Sequence, residues 1–148
     1  MTGQYERLLV PVDGSDASMT AVEEAVALAG RLGASIHALY VVDPGAYHGF
    51  TTEDRALDAL EREGDAALAD VEERCHSHGV PVETALERGH PGEVIVEYAA
   101  DEGLDCIVMA THGRRGLDRY LLGSVTERVV RHADRPVLTV RAPTSGDQ

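Results

Sequence analysis

The chain has 148 residues, of which 43% are hydrophobic and only 4% aromatic, so it can build the core of one domain from Val, Leu, Ile and Ala. Its 26 acidic residues outnumber 13 basic residues, all of them Arg, and the formal net charge of −13 excludes functions that need a broadly basic surface, such as binding nucleic acid or an anionic membrane. No segment approaches the roughly 20 apolar residues of a membrane span, and the first residues carry no apolar signal core, so we expect a cytoplasmic protein.

The charge balance and the absence of Lys favour a salt-adapted organism, because salt screens the mutual repulsion of excess acidic groups. An ordinary acidic cytosolic protein is the alternative. The two cysteines, Cys75 and Cys106, form no metal-binding or redox motif, which fits a reducing cytoplasm.

Strand-like and helix-like segments alternate along the chain. Short apolar runs predict strands at Arg7–Val12, 34–42, 80–86, 104–111 and 136–140. Apolar residues at spacings of three and four predict helices that begin at Ser15, at Thr51 or Thr52, at Pro91 and at Ser124. Three of these helices end in a glycine directly before a strand, at Gly33, Gly79 and Gly103. This repeated junction predicts an α/β fold with a parallel sheet, and right-handed crossovers then place helices on both faces.

Candidate ligand-binding residues follow the predicted strands, since open parallel sheets bind ligands at the carboxyl ends of their strands. Asp13 comes directly after the first strand, and Asp43 comes after the second. The richest segment follows the fourth strand, from residue 110 to 124, and contains the adjacent cations Arg114 and Arg115. His112 lies in the same segment without an evident nucleophile partner, so we assign no catalytic residue.

Gly123 and Ser124 begin the last predicted helix, whose free N–H groups and partial positive charge suit a phosphate. The alternative interpretation needs no ligand: Ser124 and Glu127 have the spacing of a capping box, in which their side chains close the helix start. The paired arginines nearby favour an anion, although they could also balance neighbouring acidic residues. Both interpretations remain open on the residues alone.

Three segments together resemble the universal stress protein family and cover nearly the whole chain. They are the opening LLVPVDGSDAS, the strand end LYVVDP, and the long carboxyl-terminal segment MATHGRRGLDRYLLGSVTERVVRHADRPVLTV. The resemblance implies a three-layer α/β sandwich similar to the adenine nucleotide alpha hydrolases, with a five-stranded parallel sheet in the order 3-2-1-4-5. It also implies one domain over residues 1–142, followed by a tail, 143–148, that we expect to be disordered.

The same resemblance implies a site for ATP, AMP or a related adenine nucleotide, which Mg²⁺ could accompany. In nucleotide-binding members an acidic residue after the first strand contacts the ribose, matching Asp13, and backbone at the end of the second strand receives the adenine, matching Val41. The phosphate motif matches Gly113, Gly123 and Ser124, but its first glycine falls on Ala110. The full set of expected binding residues is Pro11, Val12, Asp13, Val41, Met109, Ala110, His112, Gly113, Arg114, Gly123, Ser124 and Val125.

Two further expectations concern assembly and activity. The resemblance implies a homodimer joined through the last strand, Val137–Val140, which would otherwise be an exposed apolar edge. An unidentified protein partner is also expected for a stress-response or signalling module. Slow ATP hydrolysis and a dimeric interaction protein with a vestigial pocket are the alternatives, and Ala110 motivates the second of them.

Overall fold

The computed structural model describes residues 5–46, 53–112 and 123–141. Gly113, Arg114 and the expected disordered tail lie outside these ranges. Within them, the strands are β1 (Arg7–Val12), β2 (Ser35–Val42), β3 (Val82–Arg88), β4 (Cys106–Ala110) and β5 (Val137–Val140). The helices are α1 (Asp16–Leu32), α2 (Glu53–Ser77), α3 (Pro91–Asp101) and α4 (Ser124–His132), with a short 3-10 turn at Pro44–Ala46. Among the described residues, no helix is both long and apolar enough to pass through a membrane.

The five strands form one parallel sheet in the order β3-β2-β1-β4-β5, which confirms the predicted fold and strand order. β1 is central, with Leu8 opposite Ile36 of β2 on one side and opposite Cys106 of β4 on the other. The edges are β3 and β5. Because all five strands are parallel, their carboxyl ends lie together at the same end of the sheet.

The hydrophobic core lies on both faces of the sheet, because neighbouring residues of each strand point to opposite sides. One face packs under α1 and α2 and includes Leu8, Val10 and Val108. The other face packs under α3 and α4 and includes Leu9 and Ile107. The aliphatic residues that dominate the composition therefore form two hydrophobic layers, one on each face of the sheet, as expected for strands covered on both sides.

The predicted starts of four strands are one or two residues too early, and for β2, β3 and β4 the preceding helix ends explain why. Ala34, Val80 and Leu104 each donate their backbone N–H to a helical carbonyl five residues back, at 2.9–3.0 Å. The preceding glycines have φ between 64° and 69°, the left-handed conformation of a Schellman helix end. These three buried apolar residues therefore belong to the helix caps, and the strands begin one or two residues later.

Candidate functional site

A cavity of about 890 Å³ opens at the carboxyl ends of the strands, between the loops after β1, β2 and β4 and the starts of α3 and α4. Ten of the twelve predicted binding residues line it. They are Pro11, Val12, Asp13, Val41, Met109, Ala110, His112, Gly123, Ser124 and Val125. The other two, Gly113 and Arg114, lie outside the described residues.

The loop after β1 holds Asp13 in a compact hydrogen-bonded turn. Its Oδ1 accepts from the backbone N–H of Ser15 at 2.9 Å and from the Ser15 hydroxyl at 2.5 Å. Ser15 also caps α1, because its Oγ accepts from the backbone N–H of Ser18 at 3.1 Å. Asp16 is exposed in the first turn of α1, where an acid suits the helix dipole. The half-buried Asp13 carboxylate is therefore held in place at the cavity wall by the start of α1.

The start of α4 is not a capping box. Gly123 is the N-cap and has no side chain with which to cap the helix, and Ser124 is the exposed first helical residue. The backbone N–H of Gly123 donates to the Thr111 carbonyl at 2.7 Å. A Cβ built on Gly123 would lie 3.1 Å from the Cα of His112, which is tighter than ordinary packing allows. Glycine fits here without a shift of the neighbouring backbone, because the helix start passes directly over the end of β4.

Ala110, where the family motif has its first glycine, ends β4 in extended conformation. None of the described non-glycine residues has positive φ, so this position does not require glycine for its backbone. Ala110 is only 7% exposed, and its methyl group clusters with Ala17 and Ala21 of α1. The extra carbon therefore points to the α1 face of the sheet, away from the face covered by α3 and α4.

The cavity also has a wall that the sequence analysis missed, made by α3 and the later turns of α4. It is lined by His90, Pro91, Ile95, Arg128, Arg131 and His132. His90 is the N-cap of α3 and makes no side-chain capping bond. The rule that points to strand ends also applies to β3, which leads directly into this helix, and that was the available signal.

Two ion pairs hold the charged residues of this wall. Arg128 pairs with Glu93 of α3 at 2.9 Å, and Arg131 pairs with Glu127 one turn earlier at 3.2 Å. The stem of Arg128 crosses α3 where Gly92 leaves room, since a Cβ there would lie 2.6 Å from the Arg128 Cδ. The two arginines are thus balanced by two acids, one of which, Glu127, lies in the first turn of α4.

Comparison with known proteins identifies the family. The model of the universal stress protein family matches residues 4–141. The chain belongs to the universal stress protein family. Universal stress protein MJ0531 of Methanocaldococcus jannaschii is 39% identical over 142 residues, which cover 94% of this chain and 84% of that protein.

Solved universal stress proteins and their relatives share the fold. The structure of protein MJ0577 of M. jannaschii superposes with a TM-score of 0.83 at 30% identity, covering 97% of this chain and all of that one. A universal stress protein crystallised in complex with cAMP superposes with a TM-score of 0.68 at 27% identity, covering 93% of this chain and 97% of that chain. The universal stress protein fold of this chain therefore agrees with experimental structures over nearly its whole length.

Proposed function

We propose that this universal stress protein is a binding module for an adenine nucleotide, ATP or a relative such as AMP. The observation that carries the proposal is the convergence of ten predicted binding residues on one cavity of about 890 Å³. A volume of this size, at the carboxyl edge of a parallel sheet, suits a ligand of nucleotide dimensions. The complex of a related protein with cAMP supports the same ligand class.

The cavity offers a different chemistry to each part of the ligand. Apolar side chains near Val41, among them Leu39 and Met109, suit the faces of an adenine ring. The carboxylate of Asp13 is assigned to the ribose hydroxyls. The phosphates are assigned to the uncapped start of α4, where Ser124 adds a hydroxyl, with Mg²⁺ as a proposed companion of the phosphates.

Titration of ATP into the purified protein at fixed high salt tests the proposal, together with mass spectrometry of any small molecule that copurifies. We expect the wild type to bind and Gly123→Val to lose binding, because the new side chain would collide with the His112 backbone and displace the helix start. Gly30→Val is the matched control, since a Cβ on this α1 glycine meets nothing within 4 Å. A wild type that binds no adenine nucleotide would favour the interaction protein with a vestigial pocket, and steady phosphate release would favour slow hydrolysis.

We also propose a homodimer joined through β5, in a chain that works in the cytoplasm of a salt-adapted cell. The two edge strands of the sheet differ in a way that supports the dimer. β3 carries Glu83, Glu87 and Arg88, charges that discourage strand pairing, whereas β5 is Val-Leu-Thr-Val. Leu138 of β5 is 41% exposed and Val130 of α4 is 45% exposed.

Leu138→Asp tests the dimer, because it would place an unpaired charge in the interface. We expect light scattering to give a dimeric mass for the wild type and a monomeric mass for the variant. Leu32→Asp is the control, since Leu32 is equally exposed, at 45%, but lies at the end of α1. A wild type that is monomeric at micromolar concentration would exclude this assembly.

A further inference from the structure

Thr126 makes an unusual hydrogen bond for a helical threonine. It lies in the first turn of α4, is only 3% exposed, and donates its hydroxyl to the Ala110 carbonyl at 2.8 Å. A threonine hydroxyl in a helix commonly bonds a carbonyl of the preceding turn of its own helix. Here it bonds the last residue of β4 instead, so the bond ties the helix to the sheet.

A second hydrogen bond makes this connection rigid. Gly123 donates its backbone N–H to the Thr111 carbonyl at 2.7 Å, so two consecutive carbonyls at the end of β4 hold the N-cap and the third residue of α4. Ser124 and Val125 lie between these two ties and line the cavity. Within the described ranges their backbone N–H groups have no acceptor, as is usual for the first turn of a helix.

We infer that Thr126 is a positioning residue that fixes the N–H donors of α4 where the phosphates of the nucleotide bind. The inference rests on the proposed function and adds to it Thr126, which lines the cavity but whose hydroxyl already donates to the Ala110 carbonyl. Hydrogen bonds to phosphate oxygens depend steeply on distance and angle, so a small shift of the helix start weakens them. The proposed adenine and ribose contacts come from β2, from Met109 of β4 and from Asp13 after β1, so they do not use the N–H donors of α4.

Thr126→Val tests the inference, because valine keeps the shape of threonine and removes the hydroxyl. ATP and adenosine are titrated separately into each variant at the same salt concentration. We expect about tenfold weaker ATP binding, the factor that corresponds to one lost buried hydrogen bond, with adenosine affinity within about twofold of wild type. Thr126→Ser restores the hydroxyl and should restore the ratio of the two affinities.

Thr20→Val is the matched control. Thr20 is also a helical threonine, but its hydroxyl bonds Asp16 of its own helix at 3.1 Å and the residue does not line the cavity. This variant should leave both affinities unchanged. Equal losses for ATP and adenosine in Thr126→Val, or an unchanged ATP affinity in the folded variant, would overturn the inference while leaving the proposed function intact.

Failure of the proposed function gives a different result, because the wild type would then bind neither ligand. Should Thr126→Val not fold, Thr126→Ser and Thr126→Cys decide, since their side chains are similar in size and only the hydroxyl is a strong donor. We expect only the cysteine variant to lose the preference for ATP over adenosine. A cysteine variant with the same ATP-to-adenosine ratio as the serine variant would overturn it.

Discussion

Single residues show where the motif-based prediction can be refined by physical contacts. Ala110 motivates a vestigial pocket when it is compared with the motif glycine, but its methyl group packs on Ala17 and Ala21 of α1. Ser124 fits a capping box by spacing, yet Gly123 is the N-cap. The first outcome depends on the direction in which a side chain points, and the second on a one-residue difference in where the helix begins. Neither can be predicted from residue spacing alone.

Ala110→Gly tests whether the Ala110 methyl group obstructs the nucleotide or only packs against α1. Because the methyl group points to the α1 face, we expect ATP affinity to stay within about twofold of wild type, as for a change that touches no ligand contact. We expect the free energy of unfolding to fall by about 1 kcal/mol, from the lost buried methyl group and the added backbone freedom. Calorimetric titration and denaturant unfolding measure the two effects. A large gain in affinity would mean that the methyl group obstructs the ligand after all.

At the level of helices and strands, the sequence predicts the type and order of the described α-helices and strands because the periodicity is strong and three of the four helices end at a glycine. The boundaries are less predictable where a buried residue belongs to a helix cap. Val80 is apolar and 4% exposed, but its N–H bonds Cys75 rather than a neighbouring strand. The wall formed by α3 was missed because His90 and Pro91 form no recognisable motif and because the strand-end rule was not applied to β3.

α3 contacts the sheet through a partly buried polar contact that should respond to pH. The Tyr98 hydroxyl lies 2.5 Å from Nε2 of His37 on β2, which is 7% exposed. Nδ1 of the same ring is buried, has no hydrogen-bond partner among the described residues, and lies 4.0 Å from Glu83 of β3. Burial lowers the pKa of His37, and Arg7 acts in the same direction, while Glu83 and Glu102 partly oppose them.

The sign of the resulting pH dependence follows from this lowered pKa. The unfolded chain, in which histidine titrates near pH 6.5, binds the proton more readily than the folded chain, so stability falls as the pH drops below about 6.5. We expect His37→Phe to flatten this part of the stability curve, whereas the exposed His76→Phe should leave it unchanged. Urea unfolding between about pH 8 and 5 measures it. Parallel curves for wild type and His37→Phe would show that this ring is not the titrating group.

On the scale of the whole molecule, net charge is the property that follows most directly from the sequence. The excess of 26 acidic over 13 basic residues excludes a broad basic surface without any structural information. The cavity could not be predicted in the same way, since its walls come from separate segments that lie as far apart in the sequence as Pro11 and His132. Motif spacing pointed to the end of the cavity that we propose for the phosphates, and the parallel sheet brings the carboxyl ends of β1, β2 and β4 together there.

The net charge of −13 also predicts that stability rises with salt concentration, and two opposing effects have to be compared. Salt weakens the described ion pairs, such as Arg128–Glu93 and Arg74–Glu23, but exposed pairs of this kind contribute only about 0–1 kcal/mol each. Salt also screens the repulsion of the acidic groups in excess, over a range that shrinks from about 30 Å at 0.01 M to about 3 Å at 1 M. Because the described ion pairs contribute little and the net charge is −13, we expect the second effect to prevail and the melting temperature to rise with potassium chloride. Neutralising two exposed acids of α2, by Asp65→Asn with Glu73→Gln, should raise the melting temperature at low salt and change it little at high salt. A wild-type melting temperature that is constant or falls from millimolar to molar salt would contradict both the mechanism and the proposed salt-adapted origin.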